Sequence, residues 1–113
     1  MTTLLPKDAD NNPIPALRLK DGGAHSVAIA SVAASNATAF DANTKVVSLY
    51  ATTACYIKFG DAGVTATTAD HYYPAGVYYD IALGGGGNKG PHHTHISVLR
   101  IVDDGTLFIS EKE

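Results

Sequence analysis

The second half of the chain alternates apolar and polar residues in short runs that turn residues separate. Residues 45–51 and 54–59 both repeat with a period of two, as strands with one buried face do. The short connection through Thr52 and Thr53 predicts an antiparallel hairpin between them, although it lacks the Asn-Gly or Asp-Gly signal that would fix its register. Further strands are predicted over residues 25–30, 37–40, 77–83 and 95–102.

Turn residues mark where these strands end. Pro74-Ala75-Gly76 fits a type II turn, with the glycine at positive φ. Asp104-Gly105 is the strongest hairpin signal, and it predicts Val102 opposite Leu107 and Arg100 opposite Ile109. Both faces of this last hairpin are apolar, which indicates either that it lies between two layers or that one face binds a partner. In the second case the interface residues are Val98, Val102, Leu107 and Ile109.

The N-terminal segment lacks the alternating pattern of apolar and polar residues. Residues 1–23 contain three prolines, a polar DADNN stretch and a Gly-Gly end, without a period that would bury one face. We interpret this segment as an extended arm and residues 24–113 as a single β-domain. Either the arm is a frayed terminus or it docks on a neighbouring subunit, through Ile14, Leu17 and Leu19.

Composition narrows the class of protein. Of the 113 residues only 17% are charged, below the ~25% typical of soluble domains, which fits a chain that hides surface against copies of itself. The net charge of -3 without a Lys/Arg cluster argues against nucleic-acid binding. Cys55 is the only cysteine, so there is no intrachain disulfide, and no apolar run is long enough for a membrane helix.

The densest group of ligand-type residues is a cluster of three histidines near residue 95. His92, His93 and His95 could start a zinc site, but no HExxH motif or cysteine pair supplies the remaining ligands. Histidines at a junction between a loop and a strand are the simpler interpretation. We therefore expect no cofactor, with these three as the only weak metal candidates.

Catalytic signatures are also weak. The stretch GGGGNKG at residues 84–90 is followed by Pro91 rather than by a helix, so it does not match a phosphate-binding loop. Cys55 alternates in phase with core residues, and Asp70-His71 has no nucleophile placed beside it by a motif. We expect that the chain is not an enzyme.

Six tyrosines make up most of the aromatic residues of the chain. Tyr72-Tyr73 and Tyr78-Tyr79 are adjacent pairs, so in a strand one member of each is expected to be core or interface and the other exposed. Tyr50 and Tyr56 join the predicted interface residues. The alternative is a surface on which tyrosines stack against sugars.

Two stretches, VVSLYATTACYIKFGDAGVTATTADHYYPAGVYYDIAL and ISVLRIVDDGTLFISEKE, resemble small virion structural proteins of tailed bacteriophages and prophages. The shared pattern is a strand, a strand ending in Phe-Gly, a Thr/Ala-rich loop, an aromatic-Pro-Ala-Gly turn, another strand and a final hairpin. It covers about two thirds of the chain and excludes the arm.

The resemblance implies an all-β module, a small antiparallel β-sandwich or barrel that is jelly-roll-like, with an extended N-terminal arm. It implies a capsid decoration or cement protein, made in the host cytoplasm and located in the virion. Its partners would be the major capsid protein or other virion proteins, in addition to copies of itself in a trimer or dimer. The alternatives are a neck, tail or fibre component, or a carbohydrate- or receptor-binding β-sandwich.

Overall fold

The computed structural model describes residues 6–13, 16–84 and 90–113, and in these residues the chain forms strands and no helix. The described part therefore contains no helix that is long and apolar enough to cross a membrane. The strands are β1 (Leu19–Ile29), β2 (Ala34–Ser35), β3 (Val46–Ala51), β4 (Cys55–Gly60), β5 (His71–Tyr73), β6 (Tyr78–Ala82), β7 (His95–Arg100) and β8 (Gly105–Lys112).

The strands form two antiparallel sheets of four. Sheet I has the order β1-β8-β3-β6, and sheet II has the order β2-β7-β4-β5. The first strand pairs with the last, the second with the seventh, the third with the sixth and the fourth with the fifth. This nested ladder, folded over into two sheets, is the jelly roll. The predicted all-β, jelly-roll-like sandwich is confirmed.

The predicted hairpin between β3 and β4 is wrong, because the two strands lie in different sheets. Thr52 remains attached to sheet I: its N–H donates to the carbonyl of Thr106 at 3.0 Å, and its hydroxyl accepts from the Thr106 N–H at 2.9 Å. The chain then crosses to sheet II, where Cys55 pairs with Tyr73 and with Arg100. The short Thr-rich connection is a corner between layers rather than a turn within one.

The predicted pairing around Asp104-Gly105 is wrong for the same reason. Leu107 lies opposite Val27 and Ala51, and not opposite Val102, because β7 belongs to sheet II and β8 to sheet I. Similarly, Ile109 pairs with residues of β1 and β3 instead of Arg100. The Arg100 guanidinium binds the Asp104 carboxylate at 2.7 Å across this corner. Gly105 packs so tightly against the Thr52 and Thr53 hydroxyls that a Cβ could not fit.

The core fills the space between the sheets. Val98, Leu107 and Ile109 are at most 1% exposed, so they point into this chain's own core, and their assignment to a partner interface is corrected. Each such aliphatic side chain contributes about 1.5–3 kcal/mol through burial. The two apolar faces of the last strands therefore meet across the sandwich, in a cluster with Val27, Ile29, Phe40, Val47, Leu49, Ala51, Cys55, Ile57, Tyr73, Leu83 and Ile96.

Other predicted elements differ in detail. The strand expected over residues 25–30 begins earlier, at Leu19, and residues 37–40 form no strand, although Phe40 is buried and its N–H donates to the Thr94 carbonyl at 2.9 Å. The strand over residues 77–83 is found as β6. Gly76 has the predicted positive φ, at +75°. Most of the glycine-rich loop, residues 85–89, lies outside the described residues.

The extended arm over residues 1–23 is not confirmed. Residues 19–23 belong to β1, and the backbones of Arg18 and Glu113 exchange two hydrogen bonds of 2.9 Å. Residues 7–13 form a local turn in which the Asp8 carboxylate accepts from the N–H groups of Asp10 and Asn12, both at 2.9 Å. Sheet pairing therefore begins before the domain boundary predicted at residue 24.

Candidate interaction surfaces

An aromatic row crosses the outer face of sheet I. Phe108 of β8 lies opposite Tyr50 of β3, which in turn lies opposite Tyr78 of β6. Their exposed fractions are 49%, 38% and 58%. Side chains directly opposite in antiparallel strands lie ~4.5–5.5 Å apart at Cβ, so the three rings form one contiguous patch. We call Phe108, Tyr50 and Tyr78 the aromatic row.

A polar row lies beside it on the same face. The Ser48 hydroxyl donates to the Asp80 carboxylate at 2.5 Å, and the Lys112 ammonium binds the same carboxylate at 2.9 Å. These two contacts, the serine hydrogen bond foremost, lower the pKa of Asp80. Lys112 also lies 5.7 Å from the centre of the Tyr78 ring, a cation–π contact. The polar row thereby orients one end of the aromatic row.

A second apolar feature is a cleft of about 480 Å³ between the edges of the two sheets, where β5 and β6 face each other. Tyr79 stands at this cleft and is 60% exposed, and Tyr72 is 62% exposed. Lys58 and His71 contribute to the same lining. The apolar wall includes Ile57, Phe59, Val77 and Ile81.

The tyrosine pairs divide differently. Tyr73 is 5% exposed, and its hydroxyl lies 2.7 Å from the Leu49 carbonyl and 2.8 Å from that of Val77, while Tyr72 is exposed. Burial raises the pKa of Tyr73. One member of this pair is in the core, as expected. Tyr78 and Tyr79 are both exposed, because β6 is an edge strand and its inward side faces the open cleft, so for that pair only the interface alternative stays a prediction.

A buried polar cluster closes one end of the sandwich. The Glu111 carboxylate, 3% exposed, accepts hydrogen bonds from the Thr44 hydroxyl at 2.6 Å and the Asp41 N–H at 2.9 Å, and lies 2.7 Å from His25 Nε2. Burial acts to raise the pKa of Glu111, but the hydrogen bonds from Thr44, His25 and Asp41 outweigh it and leave that pKa lowered. Thr44 donates to the carboxylate and not to His25, so the histidine does not activate this hydroxyl.

The three histidines considered for metal binding have separate partners. His92 Nε2 lies 2.7 Å from the Thr44 carbonyl oxygen, the His93 ring stacks on Phe59 with centroids 6.2 Å apart, and His95 Nδ1 lies 2.8 Å from the Thr94 hydroxyl. Across residues 6–13, 16–84 and 90–113, no group of three or more His, Cys, Asp or Glu is placed to hold a metal ion. These histidines serve as links between loops and strands.

The residues weighed for catalysis have structural surroundings. Cys55 is fully buried, and desolvation raises the pKa of its thiol to about 11, so the thiol stays protonated at neutral pH. The Asp70 carboxylate accepts from the Thr67 N–H at 2.7 Å and lies 3.1 Å from its hydroxyl. These bonds, the backbone one foremost, lower the pKa of Asp70. Asp70 therefore shapes its own loop.

The remaining predicted interface residues lie at or near the surface. Val102 is 74% exposed, Leu19 is 60% exposed, and Leu17 and Tyr56 are partly buried. Ile14 lies outside the described residues. Whether these residues contact a partner stays a prediction. Sequence reasoning missed Phe108 as a surface residue, although its phase, opposite to that of Leu107, is a usable signal.

Comparisons with protein-family models, with curated proteins and with solved structures find no match for this chain.

Proposed function

We propose that this chain is a structural module of a tailed-bacteriophage virion, a jelly-roll decoration or cement protein that attaches in many copies to the head. The observation that carries the proposal is the aromatic row on sheet I, three half-exposed rings in register across adjacent strands. A contiguous exposed aromatic patch of this kind is typical of an interaction surface. The low charged fraction of the chain is consistent with it.

Fold analogy adds weaker support. Double-sheet jelly rolls recur in viral capsid domains, but they also occur in lectins and enzymes, so the fold alone does not assign a role. The partners in this proposal are the major capsid protein or other virion proteins, and copies of the chain itself. A module of this kind acts by burying surface, and repeated copies add avidity.

The first test asks whether the chain is present in virus particles. Particles from the organism that encodes the chain are purified, and its copy number is measured by quantitative mass spectrometry. We expect many copies per head. Particles that contain none of it would contradict the proposal, and immunogold labelling confined to the tail would favour a neck, tail or fibre component instead.

The second test asks whether the aromatic row makes the contact. Purified protein is added back to particles stripped of it, and attachment and the temperature of DNA release are measured. Phe108→Ser is expected to weaken attachment at least tenfold, while Val32→Ser, which removes a 76% exposed apolar side chain in a loop, should attach like the parent protein. Equal attachment of both variants would contradict the role of the row.

Glycan or receptor binding is the second candidate, and the polar row favours it. Sugar sites combine an aromatic platform with hydrogen-bonding groups at its side, and Asp80 and Lys112 lie beside Tyr78 in this way. Glycan-array binding that Phe108→Ser and Tyr78→Ser both abolish would support this function. Attachment to heads without glycan binding would support the structural role.

A further inference from the structure

β6 is an edge strand with an open backbone. Leu83 N–H donates to the Lys45 carbonyl at 2.8 Å, in register with the pairing of Ala82 and Val46. Backbone bonding alternates along an antiparallel strand, so Tyr78, Asp80 and Ala82 direct their N–H and C=O groups away from β3. In the described part of the chain, no strand pairs with this side of β6.

The same edge is flanked by aromatic side chains on both faces. Tyr78 continues the aromatic row on the outer face, and Tyr79 stands at the cleft beside Tyr72. The exposed parts of Tyr72, Tyr78 and Tyr79 correspond to roughly 360 Å², at roughly 200 Å² for a whole aromatic side chain. A stable specific interface buries ~800 Å² on each partner, so these three tyrosines would supply a little under half of one side.

Charge excludes one of the registers in which two copies of this edge can meet. In a two-fold antiparallel pair centred on Asp80, two carboxylates would lie opposite each other, which destabilises a sheet. Centring the pair on Tyr79 sets each Tyr78 opposite Asp80 of the second copy, and the outward backbone groups of these residues then bond to each other. The two Tyr79 side chains meet at the axis.

We propose that the free edge of β6 pairs with the same edge of a second copy of this chain, two-fold symmetric and antiparallel, with Tyr79 on the axis. Sheet I then continues through the axis as an eight-stranded sheet. This inference rests on the proposed function, and it specifies which surface forms the homo-oligomer in that proposal. The interface is isologous, so any charge placed on the axis meets its own copy.

That symmetry gives a direct test by charge. Native mass is measured by light scattering and sedimentation over a concentration series, and the parent protein is expected at twice 11.8 kDa. Tyr79→Lys and Tyr79→Asp should each be monomeric, because like charges would meet at the axis. An equal mixture of the two should recover the dimer, and the control Val102→Lys should remain dimeric.

Cysteine cross-linking tests the register independently. Residues opposite at a non-hydrogen-bonded position have Cα atoms ~4.5 Å apart, within disulfide range. Tyr79→Cys should therefore oxidise to a covalent dimer, whereas Val32→Cys should not, and the buried Cys55 should remain free. A faster cross-link for Asp80→Cys than for Tyr79→Cys would overturn the assigned register.

Failure of this inference is separable from failure of the proposed function. A parent protein that is monomeric at all concentrations, or a dimer that survives Tyr79→Lys, overturns the β6 pairing. If the protein is a monomer and Tyr79 becomes buried only when the protein is bound to heads, the β6 edge contacts a head protein. That result also overturns the β6 pairing but supports the virion role. A Tyr79-dependent dimer that never attaches to particles supports the pairing and contradicts the virion role.

Discussion

Glu111 offers the sharpest test of how the jelly roll is held together at its polar end. Its carboxylate is the common acceptor for the Thr44 hydroxyl, the Asp41 N–H and the His25 ring, at 2.6, 2.9 and 2.7 Å. Glu111→Ala removes all three acceptor contacts and leaves buried donors without a partner. Leaving one buried donor without its acceptor costs about 1–3 kcal/mol, so the loss of three such contacts is a large share of the ~5–15 kcal/mol by which small domains are stable.

The chain provides a matched control two residues away. Glu113 also pairs with a basic side chain, Arg18, at 2.8 Å, but those side chains are 39% and 82% exposed. An exposed pair of this type contributes about 0–1 kcal/mol. Urea unfolding followed by circular dichroism and by the fluorescence of the six tyrosines, in a chain without tryptophan, gives both free energies. Losses for Glu111→Ala and Glu113→Ala that agree within about 0.5 kcal/mol would refute the reasoning.

The same cluster predicts a direction for the pH dependence. The pKa of Glu111 is lower in the folded chain than the ordinary glutamate value of 4.5, so the unfolded state takes up a proton first as the pH falls. The stabilising contribution is therefore fully present above about pH 4.5 and is lost as the pH falls through the folded-state pKa. Asp70 and Asp80 shift in the same direction, so the difference between the parent protein and Glu111→Ala isolates the cluster. A difference that does not shrink on acidification would contradict this assignment.

Two further predictions concern the corner and the core. Gly105→Ala should lower the free energy of unfolding by about 1–3 kcal/mol, because its Cβ would overlap the threonine hydroxyls of the opposing corner. Gly63→Ala should cost far less, because its Cβ would make only an ordinary contact with the Asp61 carboxylate at 3.5 Å. Equal shifts of the urea midpoint would contradict the packing. Leu107→Asp should abolish cooperative unfolding, because it buries an unpaired charge. Val102→Asp, at a 74% exposed site, should change the free energy of unfolding by under about 0.5 kcal/mol. Similar losses of stability for the two variants in the same assay would show that these residues are not placed as described.

The strands could be predicted from the sequence, but their partners could not. A period of two identifies which side chains share a face, and it located β3, β4, β6 and β7 well. It does not identify the neighbouring strand. In the jelly roll Val27 pairs with Leu107, far away in the sequence, while β7 and β8 are adjacent in sequence but in different sheets. The Asp-Gly signal of the last connection predicts a local hairpin, because nothing in a short window distinguishes such a turn from a corner between layers.

The surfaces were predictable to different extents. Glu111 continues the inward phase of Leu107 and Ile109, so a charge on the core side of β8 was visible in the sequence, but its partner His25 was not. Phe108 has the outward phase and could have been assigned to the surface. The exposure of Tyr79 depends on β6 being the edge of sheet I, and that position follows from the whole topology rather than from any local pattern.

The two edges of sheet I differ in how readily they could pair with another strand, and this contrast is the strongest argument for the pairing that we propose for β6. β1, at one edge, has a register shift between Leu19 and Ala24 and exposes Asp21, features that discourage pairing with another sheet. β6, at the other edge, has tyrosines on both faces, and its one charged residue, Asp80, is already bound by Lys112 and Ser48. One edge strand is irregular and charged, whereas the other is regular and flanked by tyrosines, and this difference supports the pairing that we propose for β6.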